Sequence, residues 1–452
     1  GTQFINFAGL NAWVGTEKGV TAIEVTEWDE PQAVIGSYLQ RYAYPKWYAE
    51  HLARGRALQR SSALGGDAAG CVQLRGEYLF SAEGKSGLRV LDAAGIANKG
   101  ISQKLISAPF SPLGHNTQVK TANATCVALA TTQPVHPPRN EGDLMRKANL
   151  EQPFLPIYNF AVITDSVEGL VLVDINTLAD GEFRNNFLKR FVTWNPEGKL
   201  AGARYLTIAG NLAYVVTASQ VVVVDLSTPA TPKIAAEIPF DSPRAVAVQF
   251  RYLFVTTARG FEVVDITTPT RPRKRPEATV PLANAAGFTV ARTYAYVANG
   301  REGLAIIDVK RPHAARLFQK WNGDGGLVDS RDVMIASTNA SLFAYVADGQ
   351  GGLKVVQLTS PSSQPNFYGF SPEPRPELIA HKATRTPALS LSRPLERDRA
   401  VDESGGQVAV FGRRGARPFN LQEMQRLYLD KDGEPWFVED NPGVKQAQRN
   451  PR

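Results

Sequence analysis

The chain alternates between short, strongly apolar segments and short polar segments rich in Gly, Pro, Ser and Thr. Seven apolar segments share one form, in which a run of apolar residues ends in an acid or an amide; the clearest read GLVLVDI, QVVVVDL, GFEVVDI, GLAIIDV and GLKVVQL. The residues that end these segments are Glu24, Asp92, Asp174, Asp225, Asp265, Asp308 and Gln357. Runs this short, bounded by turn residues, are typical of buried strands, so the pattern predicts seven equivalent strands.

A second apolar segment begins 11 or 12 positions before each of these end residues, as in AYVVT, LFVTT, AYVAN and AYVAD. The loop between the two segments usually ends in glycine, which tolerates the positive φ that tight hairpins require. The six glycines at this place are Gly19, Gly87, Gly169, Gly260, Gly303 and Gly352. Only the fourth unit differs, with Ser219–Gln220. Each pair of segments is therefore predicted to form an antiparallel hairpin.

A turn follows the acid in several units, where a proline lies four residues later and Ser or Thr fill the gap, as in LSTP and ITTP. Short polar side chains in such a turn accept hydrogen bonds from nearby backbone N–H groups. We interpret the repeated acids as structural acceptors of this kind, because a residue repeated in every unit is a poor candidate for catalysis.

The fourth unit shows four strands, ARYLTIAG, LAYVVTAS, QVVVVDLS and PKIAAEIPF. The middle strands are apolar at nearly every position, which indicates that both of their faces are buried. Antiparallel sheets packed face to face around an axis provide such burial, and no helical pattern lies between the strands. The sequence predicts an all-β fold: a seven-bladed β-propeller of four-stranded antiparallel blades over residues 1–365. FINFAGL, AWVGTE, VTAIEV and AVIGSYL are the four expected strands of the first blade.

The first two intervals between successive acids, 68 and 82 residues, far exceed the ~40–45 residues that one blade needs, which predicts surface insertions at about 40–68 and 96–155. The first contains YPKWYAEHLARGRALQR, the pattern of a short amphipathic helix that either caps the ring or docks a partner. The second is a long polar loop, a type that is often functional. Trp, Tyr and Arg dominate interface hot spots, and the candidate docking residues are Trp47, Tyr48, Arg54, Arg56, His115 and His136.

Residues 366–452 are expected to form a Pro- and Ser-rich linker or strap followed by a small C-terminal β extension. QVAVFGR predicts one strand there, and LYLDKDGEPWFVE predicts a hairpin. The QVAVFGR strand could close the ring by pairing with the first blade. We favour the extension, because the first unit already holds four expected strands.

The net charge of +7 over 452 residues is a mild excess, and no combined aromatic and basic platform for nucleic acid is visible. Basic clusters such as Arg271, Arg273, Lys274 and Arg275 are either solvated loops or docking points for an acidic surface. No apolar run is long enough to span a membrane. The chain opens at Gly1 without a charged-then-apolar leader, as a processed or trimmed form would.

The sequence offers no catalytic constellation, metal site or cofactor site. It has two cysteines and neither CxxC nor CxxCH, so no thioredoxin-type site or c-type haem attachment is expected. Cys71 and Cys126 open equivalent first strands of neighbouring units, where they either pair as a disulfide in an oxidising compartment or remain buried thiols. Five arginines on or beside the first strands either ring the channel, where they would bind an anion, or lie over turns: Arg75, Arg204, Arg244, Arg292 and Arg331.

The segments GLAIIDVKRP, YVANG and YVADGQGGL resemble the LVIVD-repeat family of bacterial β-propeller proteins, over about residues 1–365 and most strongly from 205 to 361. The resemblance implies a propeller in a periplasmic, cell-surface or extracellular setting, often encoded among multihaem cytochromes. It implies no shared reaction and no shared catalytic residues. This chain departs from the pattern at Gln357 and in the third unit, which lacks the aromatic of the second strand.

The expected function is therefore that of an exported, non-catalytic propeller, which binds or scaffolds other protein subunits and has no cofactor of its own. A multihaem c-type cytochrome is the partner that the resemblance suggests; no nucleic-acid partner is expected, and the oligomeric state is left open. One alternative is a hydrolase or lyase with a site at the channel mouth. Another is a carbohydrate or surface-polymer binder that uses the Trp and Tyr of the insertions.

Overall fold

The computed structural model describes residues 11–17, 19–24, 61–65, 67–75, 78–92, 117–130, 156–175, 178, 188–337, 341–360, 371–392, 413–414 and 417–418. These residues form antiparallel β-sheets joined by turns and by short 3-10 segments at Pro156–Asn159, Pro196–Gly198, Pro276–Ala278 and Pro312–Ala314. The repeated strand pattern of the sequence thus appears as an all-β fold.

The strands have the following bounds in chain order: β1 (Asn11–Thr16), β2 (Gly19–Glu24), β3 (Ser61–Gly65), β4 (Cys71–Arg75), β5 (Tyr78–Ala82), β6 (Leu88–Asp92), β7 (Gln118–Val119), β8 (Ala124–Leu129), β9 (Phe160–Asp165), β10 (Gly169–Asp174), β11 (Lys189–Trp194), β12 (Tyr205–Ala209), β13 (Leu212–Val216), β14 (Gln220–Asp225), β15 (Lys233–Pro239), β16 (Ala245–Gln249), β17 (Tyr252–Thr257), β18 (Gly260–Asp265), β19 (Arg273–Lys274), β20 (Val280–Pro281), β21 (Phe288–Ala291), β22 (Tyr294–Ala298), β23 (Leu304–Asp308), β24 (Arg316–Trp321), β25 (Asp332–Ser337), β26 (Leu342–Ala347), β27 (Leu353–Thr359), β28 (Glu377–Lys382), β29 (Ala388–Leu391), β30 (Arg413–Arg414) and β31 (Arg417–Pro418).

The sheets follow one another around a common axis. From the axis outward they are β29-β1-β2-β3, β4 to β7, β8 to β11, β12 to β15, β16 to β19 with β20, β21 to β24, and β25 to β28; β30 and β31 pair separately. The innermost strand of each sheet contacts the innermost strand of the next, and the series β4, β8, β12, β16, β21, β25 and β29 returns to β4. The described residues therefore form a closed propeller.

The described residues form six four-stranded blades, so the prediction of seven such blades is wrong in number. The remaining sheet, the fifth along the chain, has five strands because its outer strand is split in two. β19 pairs with the end of β18, the 3-10 turn Pro276–Ala278 interrupts, and β20 pairs with the start of β18. Pro276 has no N–H to donate to a ladder and its fixed φ suits the first position of a helical turn, which accounts for the break.

A strand from the C-terminal part of the chain closes the ring. β29 pairs antiparallel with β1, with Leu391 opposite Val14 and Ser390 opposite Gly15. The first sheet thus takes its inner strand from 388–391 and its outer strand from 61–65, in the places expected for FINFAGL and AVIGSYL, which lie outside the described residues. The sequence ALSL is too short and too ordinary to identify as a strand without its partner.

The ring also includes segments that the sequence assigned to other regions. β28 and β29 lie within residues 366–395, the expected linker or strap, and are the outer strand of the seventh sheet and the inner strand of the first. β3 lies within the first expected insertion and β7 within the second. β8 also lies in the second interval, but there the first strand expected at Cys126 is confirmed. QVAVFG and the LYLDKDGEPWFVE hairpin lie outside the described residues.

The middle strands are buried on both faces, as their unbroken apolar sequences predict. Alternate residues of β14 face opposite neighbours: Val221 and Val223 pack against the fifth sheet, where Leu253 lies, and Val222 packs against the third sheet, where Leu172 lies. All of these side chains are fully buried. Removal of a Val or Leu side chain from water stabilises the fold by about 1.5–3 kcal/mol, so each sheet depends on the sheets on both sides.

We expect Gly352→Ala to destabilise the fold more than Gly198→Ala. Both glycines have a similar positive φ, +76° and +72°, which costs an L-residue about 1–2 kcal/mol. A Cβ at Gly198 would meet nothing within 4 Å, whereas a Cβ at Gly352 would lie 2.2 Å from the backbone oxygen of Lys382 on β28. Urea unfolding of both variants measures the difference, and equal losses would show that the close approach of β28 does not matter.

Leu391→Asp should open the ring, because Leu391 is 4% exposed on the closing strand and a carboxylate there would be buried without a partner. Ile379→Asp on the neighbouring strand β28 is the matched control, because Ile379 is 38% exposed and its substitution leaves the new charge in water. Thermal unfolding should show a large loss for the first variant and a small one for the second. Similar melting temperatures would contradict closure by β29.

Candidate functional site at the centre of the ring

The repeated acids at the end of the third strand of each unit hold turns. The carboxylate of Asp225 accepts hydrogen bonds from the backbone N–H (2.8 Å) and the hydroxyl (2.5 Å) of Ser227. Asp265 accepts the same pair from Thr267 and a third bond from Arg275. Burial opposes ionisation of Asp265, but these hydrogen bonds outweigh it and hold its pKa below the usual value.

The other repeated acids do not form a common site with Asp225 and Asp265. Asp308 accepts from the backbone N–H of Lys310 at 3.0 Å and pairs with Arg316 at 3.1 Å. Asp174 lies at the equivalent end of β10. The side chains of Glu24 and Asp92 lie outside the described residues. Asp225, Asp265 and Asp308 thus each bind the turn that follows their own strand.

A second set of repeated polar residues, which the sequence analysis missed, lies at the end of the second strand of each sheet. All are at most 3% exposed: Thr16, Glu83, Asp165, Thr217, Thr257, Asn299 and Asp348. The signal was visible in the sequence as the last residue of YVAN and YVAD. This signal does not by itself indicate burial, because a polar residue at a hairpin is normally exposed.

Three of these residues, Asp165, Asn299 and Asp348, accept backbone N–H groups of the segment that enters their own sheet. Asp165 accepts backbone N–H groups of Val167 and Glu168 in its hairpin, both at 2.8 Å, and that of Asn123 before β8 at 2.6 Å. Asp348 likewise accepts from Val328 and Asp329 before β25. Burial opposes ionisation of Asp165, yet the hydrogen bonds hold its pKa below the usual value. Their role is structural.

Glu83 differs from Asp165 because its pKa is raised and not lowered. Its carboxylate is fully buried and is paired with Arg89, with an Nη1–Oε2 distance of 2.6 Å. Burial raises the pKa of Glu83, and the hydrogen bond and charge of Arg89 only partly oppose this. The pair lies within the second sheet and is directed at its own hairpin rather than at the axis.

A cavity of about 40 Å³ lies at the centre of the ring, between the innermost strands of five sheets. This is room for about three water molecules. Its polar or sulfur-bearing lining residues are Cys71, Gln73, Cys126, Tyr205, Thr207, Asp332, Met334 and Ser390. The channel mouth, where the alternative hydrolase site was expected, thus leads to a narrow space.

The polar groups around the axis bind the neighbouring sheet. Gln73 accepts the N–H of Leu129 at 2.9 Å, and Ser390 donates to the backbone oxygen of Ala69 at 3.0 Å. The carboxylate of Asp332 accepts the N–H of Leu391 at 2.9 Å. Each bond joins the innermost strand of one sheet to the innermost strand of the next, or to the segment leading into it. These side chains therefore link the ring together around the cavity.

A disulfide bond between Cys71 and Cys126 crosses the boundary between the second and third sheets. The sulfur atoms are 2.12 Å apart and the Cα atoms 4.7 Å apart. The bond joins β4 to β8 and lines the cavity. Both cysteines of the chain are thus used in one covalent link between the second and third sheets.

The five arginines do not form a ring. Arg75 and Arg292 lie at the far ends of first strands, whereas Arg204, Arg244 and Arg331 lie directly before first strands. Arg244 donates to the backbone oxygen of Ala285 at 2.7 Å, and Arg331 pairs with Asp329 at 2.8 Å. The two groups occupy opposite ends of the channel, so they cannot hold one anion together.

The remaining predictions concern a metal site, a membrane span and the docking residues of the insertions. Among the described residues, no group of three His, Cys, Asp or Glu side chains could hold a metal ion. Within the same ranges no helix is long and apolar enough to cross a membrane. The candidate docking residues of the two insertions lie outside the described residues: Trp47, Tyr48, Arg54, Arg56, His115 and His136.

The chain carries LVIVD repeats at residues 202–237, 284–314 and 341–369, which confirms the predicted resemblance. No curated protein matches the chain. A protein from Lactobacillus plantarum has a similar fold, with a TM-score of 0.53 and 13% identity over 84% of this chain and 98% of that chain. Two other structures are similar at lower scores.

One of these two is the periplasmic gluconolactonase of Pseudomonas aeruginosa, with a TM-score of 0.47 and 11% identity over 84% of this chain and 99% of that one. The other is apo AztD from Citrobacter koseri, with a TM-score of 0.43 and 12% identity over 84% of this chain and 97% of that one. At these identities the likeness concerns the fold alone.

Loss of the disulfide in a Cys71→Ser/Cys126→Ser variant should lower the free energy of unfolding by about 2–4 kcal/mol, because the bond closes a long loop between two sheets. Denaturant unfolding with and without a reductant measures this loss. The reductant should destabilise the unaltered chain and leave the variant unchanged. Alkylation of both cysteines in the unreduced, denatured chain would contradict the bond.

Proposed function

We propose that this chain is an exported, non-catalytic β-propeller that binds or scaffolds other proteins. The observation that carries the proposal is the central cavity of about 40 Å³. Pockets that take small molecules have volumes of about 300–1,000 Å³. Because this cavity has room for only a few water molecules, the proposal places recognition on the outer surface of the ring.

The hydrogen bonds around the axis support the same conclusion. A channel enzyme needs polar side chains that converge on a substrate and remain available to it. Here Gln73, Asp332 and Ser390 bind backbone groups of the adjacent sheet, and the described arginines are divided between the two ends of the channel. The hydrolase or lyase alternative has no comparable support.

The disulfide supports an exported location, because such bonds form and persist mainly in oxidising compartments such as the periplasm or the cell exterior. A multihaem c-type cytochrome remains the partner that the LVIVD resemblance suggests. The carbohydrate-binding alternative depends on Trp47 and Tyr48, which lie outside the described residues.

The proposal is tested by purification of the tagged full-length chain from its native source under mild conditions, followed by native mass spectrometry. We expect a stoichiometric complex with at least one other protein, and haem absorbance in that complex if the partner is a cytochrome. Thr207→Val changes the cavity wall at nearly constant volume and should leave the complex intact. A lone monomer, or a complex lost on this substitution, would argue against a scaffold that uses its outer surface.

A further inference from the structure

The dipeptide Asn-Gly occurs twice in the chain, at Asn299–Gly300 and at Asn322–Gly323. Asparagine is a thermolabile residue, and it is most labile before glycine. The backbone nitrogen of the next residue can attack the side-chain amide carbon, and glycine has no Cβ to obstruct this approach. The reaction needs an amide that can turn towards the backbone and a backbone N–H that is not held in a hydrogen bond. The two dipeptides differ in both respects.

The fold protects the first dipeptide. Asn299 is fully buried directly after β22, where its Oδ1 accepts the backbone N–H of Asn284 at 2.9 Å and its Nδ2 donates to Glu302 at 2.7 Å. The backbone N–H of Gly300 donates to the backbone oxygen of Ser330 at 3.0 Å. Both reacting groups are therefore engaged, and the amide cannot turn without breaking hydrogen bonds to the segments that precede β21 and to its own hairpin.

The second dipeptide has no such protection. Asn322 follows β24 in the turn 322–326 and is exposed. Its backbone oxygen accepts the N–H of Leu327 at 3.0 Å, and the backbone oxygen of Gly323 accepts the N–H of Gly326 at 2.9 Å. Within the part of the chain that the structure describes, neither the amide of Asn322 nor the N–H of Gly323 forms a hydrogen bond. The turn is thus held by carbonyl groups, and the two groups that react are left unbonded.

The turn itself requires the glycine that makes this asparagine reactive. Gly323 has a φ of +61°, a left-handed conformation that L side chains rarely adopt, and a Cβ there would lie 3.1 Å from the ring of Trp321. Replacement of the glycine would therefore strain the connection between the sixth and seventh sheets. The reactive dipeptide is in place because the backbone needs it.

We propose that Asn322 is a site of spontaneous deamidation in the folded protein and that Asn299 is not. The backbone nitrogen of Gly323 attacks Cγ of Asn322, the bond from Cγ to Nδ2 breaks, and the proton lost by the attacking nitrogen leaves with the amide nitrogen as ammonia. The product is a five-membered succinimide. Water that adds at Cγ opens it to aspartate, and water that adds at the backbone carbonyl carbon opens it to isoaspartate.

Isoaspartate would disturb the boundary between the sixth and seventh sheets. It lengthens the main chain by one methylene group, at a place where a Cβ on Gly303 of the neighbouring hairpin would already lie 2.7 Å from Cα of Asn322. The carbonyl that accepts the N–H of Leu327 would become a carboxylate. Leu327 is 2% exposed and packs in the core shared by the two sheets, so the added length and charge act directly on that core.

The test compares the two asparagines during one incubation of the full-length chain in warm, mildly alkaline buffer. Peptide mapping by mass spectrometry measures, at each site, the fraction that has gained the mass difference between an acid and an amide. We expect Asn322 to react at least tenfold faster than Asn299. Incubation in denaturant is the matched control, because both dipeptides are then solvated and should react at similar rates.

The structural consequence is tested with Asn322→Asp, which has the charge of the product without the longer main chain. Its melting temperature should match that of the unaltered chain. The aged, unaltered chain should melt earlier, in proportion to its content of isoaspartate at position 322. Asn322→Ser, aged in parallel, should keep its melting temperature and controls for slow changes elsewhere, such as isomerisation at Asp324–Gly325.

Equal rates at the two asparagines of the folded chain would overturn the inference, as would an unreacted Asn322 in a folded chain whose denatured form reacts. The same ratio of rates in the folded and the denatured chain would also overturn it, because neighbouring residues rather than the fold would then cause the difference. Melting that isoaspartate leaves unchanged would overturn the effect on the boundary, and the mass spectra would still decide the site.

Discussion

Burial of both faces of the middle strands is the constraint on which the rest of this structure depends. Val222 and Val223 are adjacent on β14, yet one packs against the third sheet and the other against the fifth. No sheet in such an array can be terminal, because its outward face would expose a row of valines to water. The array has to close on itself, and β29 closes it by pairing with β1.

Closure of the ring also determines what the polar side chains of the innermost strands contact. The innermost strands meet at the axis, where their side chains either leave a wide channel or bind one another's backbones. In this ring, Gln73, Asp332 and Ser390 form hydrogen bonds with backbone groups of the neighbouring sheet. The disulfide also joins the second sheet to the third. The same groups that stabilise the ring thereby narrow the space in which catalysis would take place. Under the scaffold function proposed above, recognition falls to the outer surface of the ring.

The outer strands carry the irregularities of the repeat. The outer strand of the fifth sheet is broken by the 3-10 turn at Pro276, and the broken edge lies against the turn at Pro312. A regular repeat would place similar surfaces on every sheet. The bulge of Phe318 recurs at Phe191 in the third sheet, and in both sheets the bulged Phe packs on an aromatic residue of the second strand. This contact therefore belongs to the repeat.

The sequence by itself determined the strands of the central repeats, the hairpin glycines and the role of Asp225, Asp265 and Asp308, because burial on both faces and turn geometry are local requirements written in adjacent residues. Only the tertiary structure decided that ALSL closes the ring and that the outer strand of the fifth sheet is split. It also decided that Asp165 and Asp348 are buried and bind the segments that enter their sheets. It also decided that the arginines lie at opposite ends of the channel. These features depend on which distant segments meet, and hydrogen bonds between residues far apart in the chain leave no periodic signal along it.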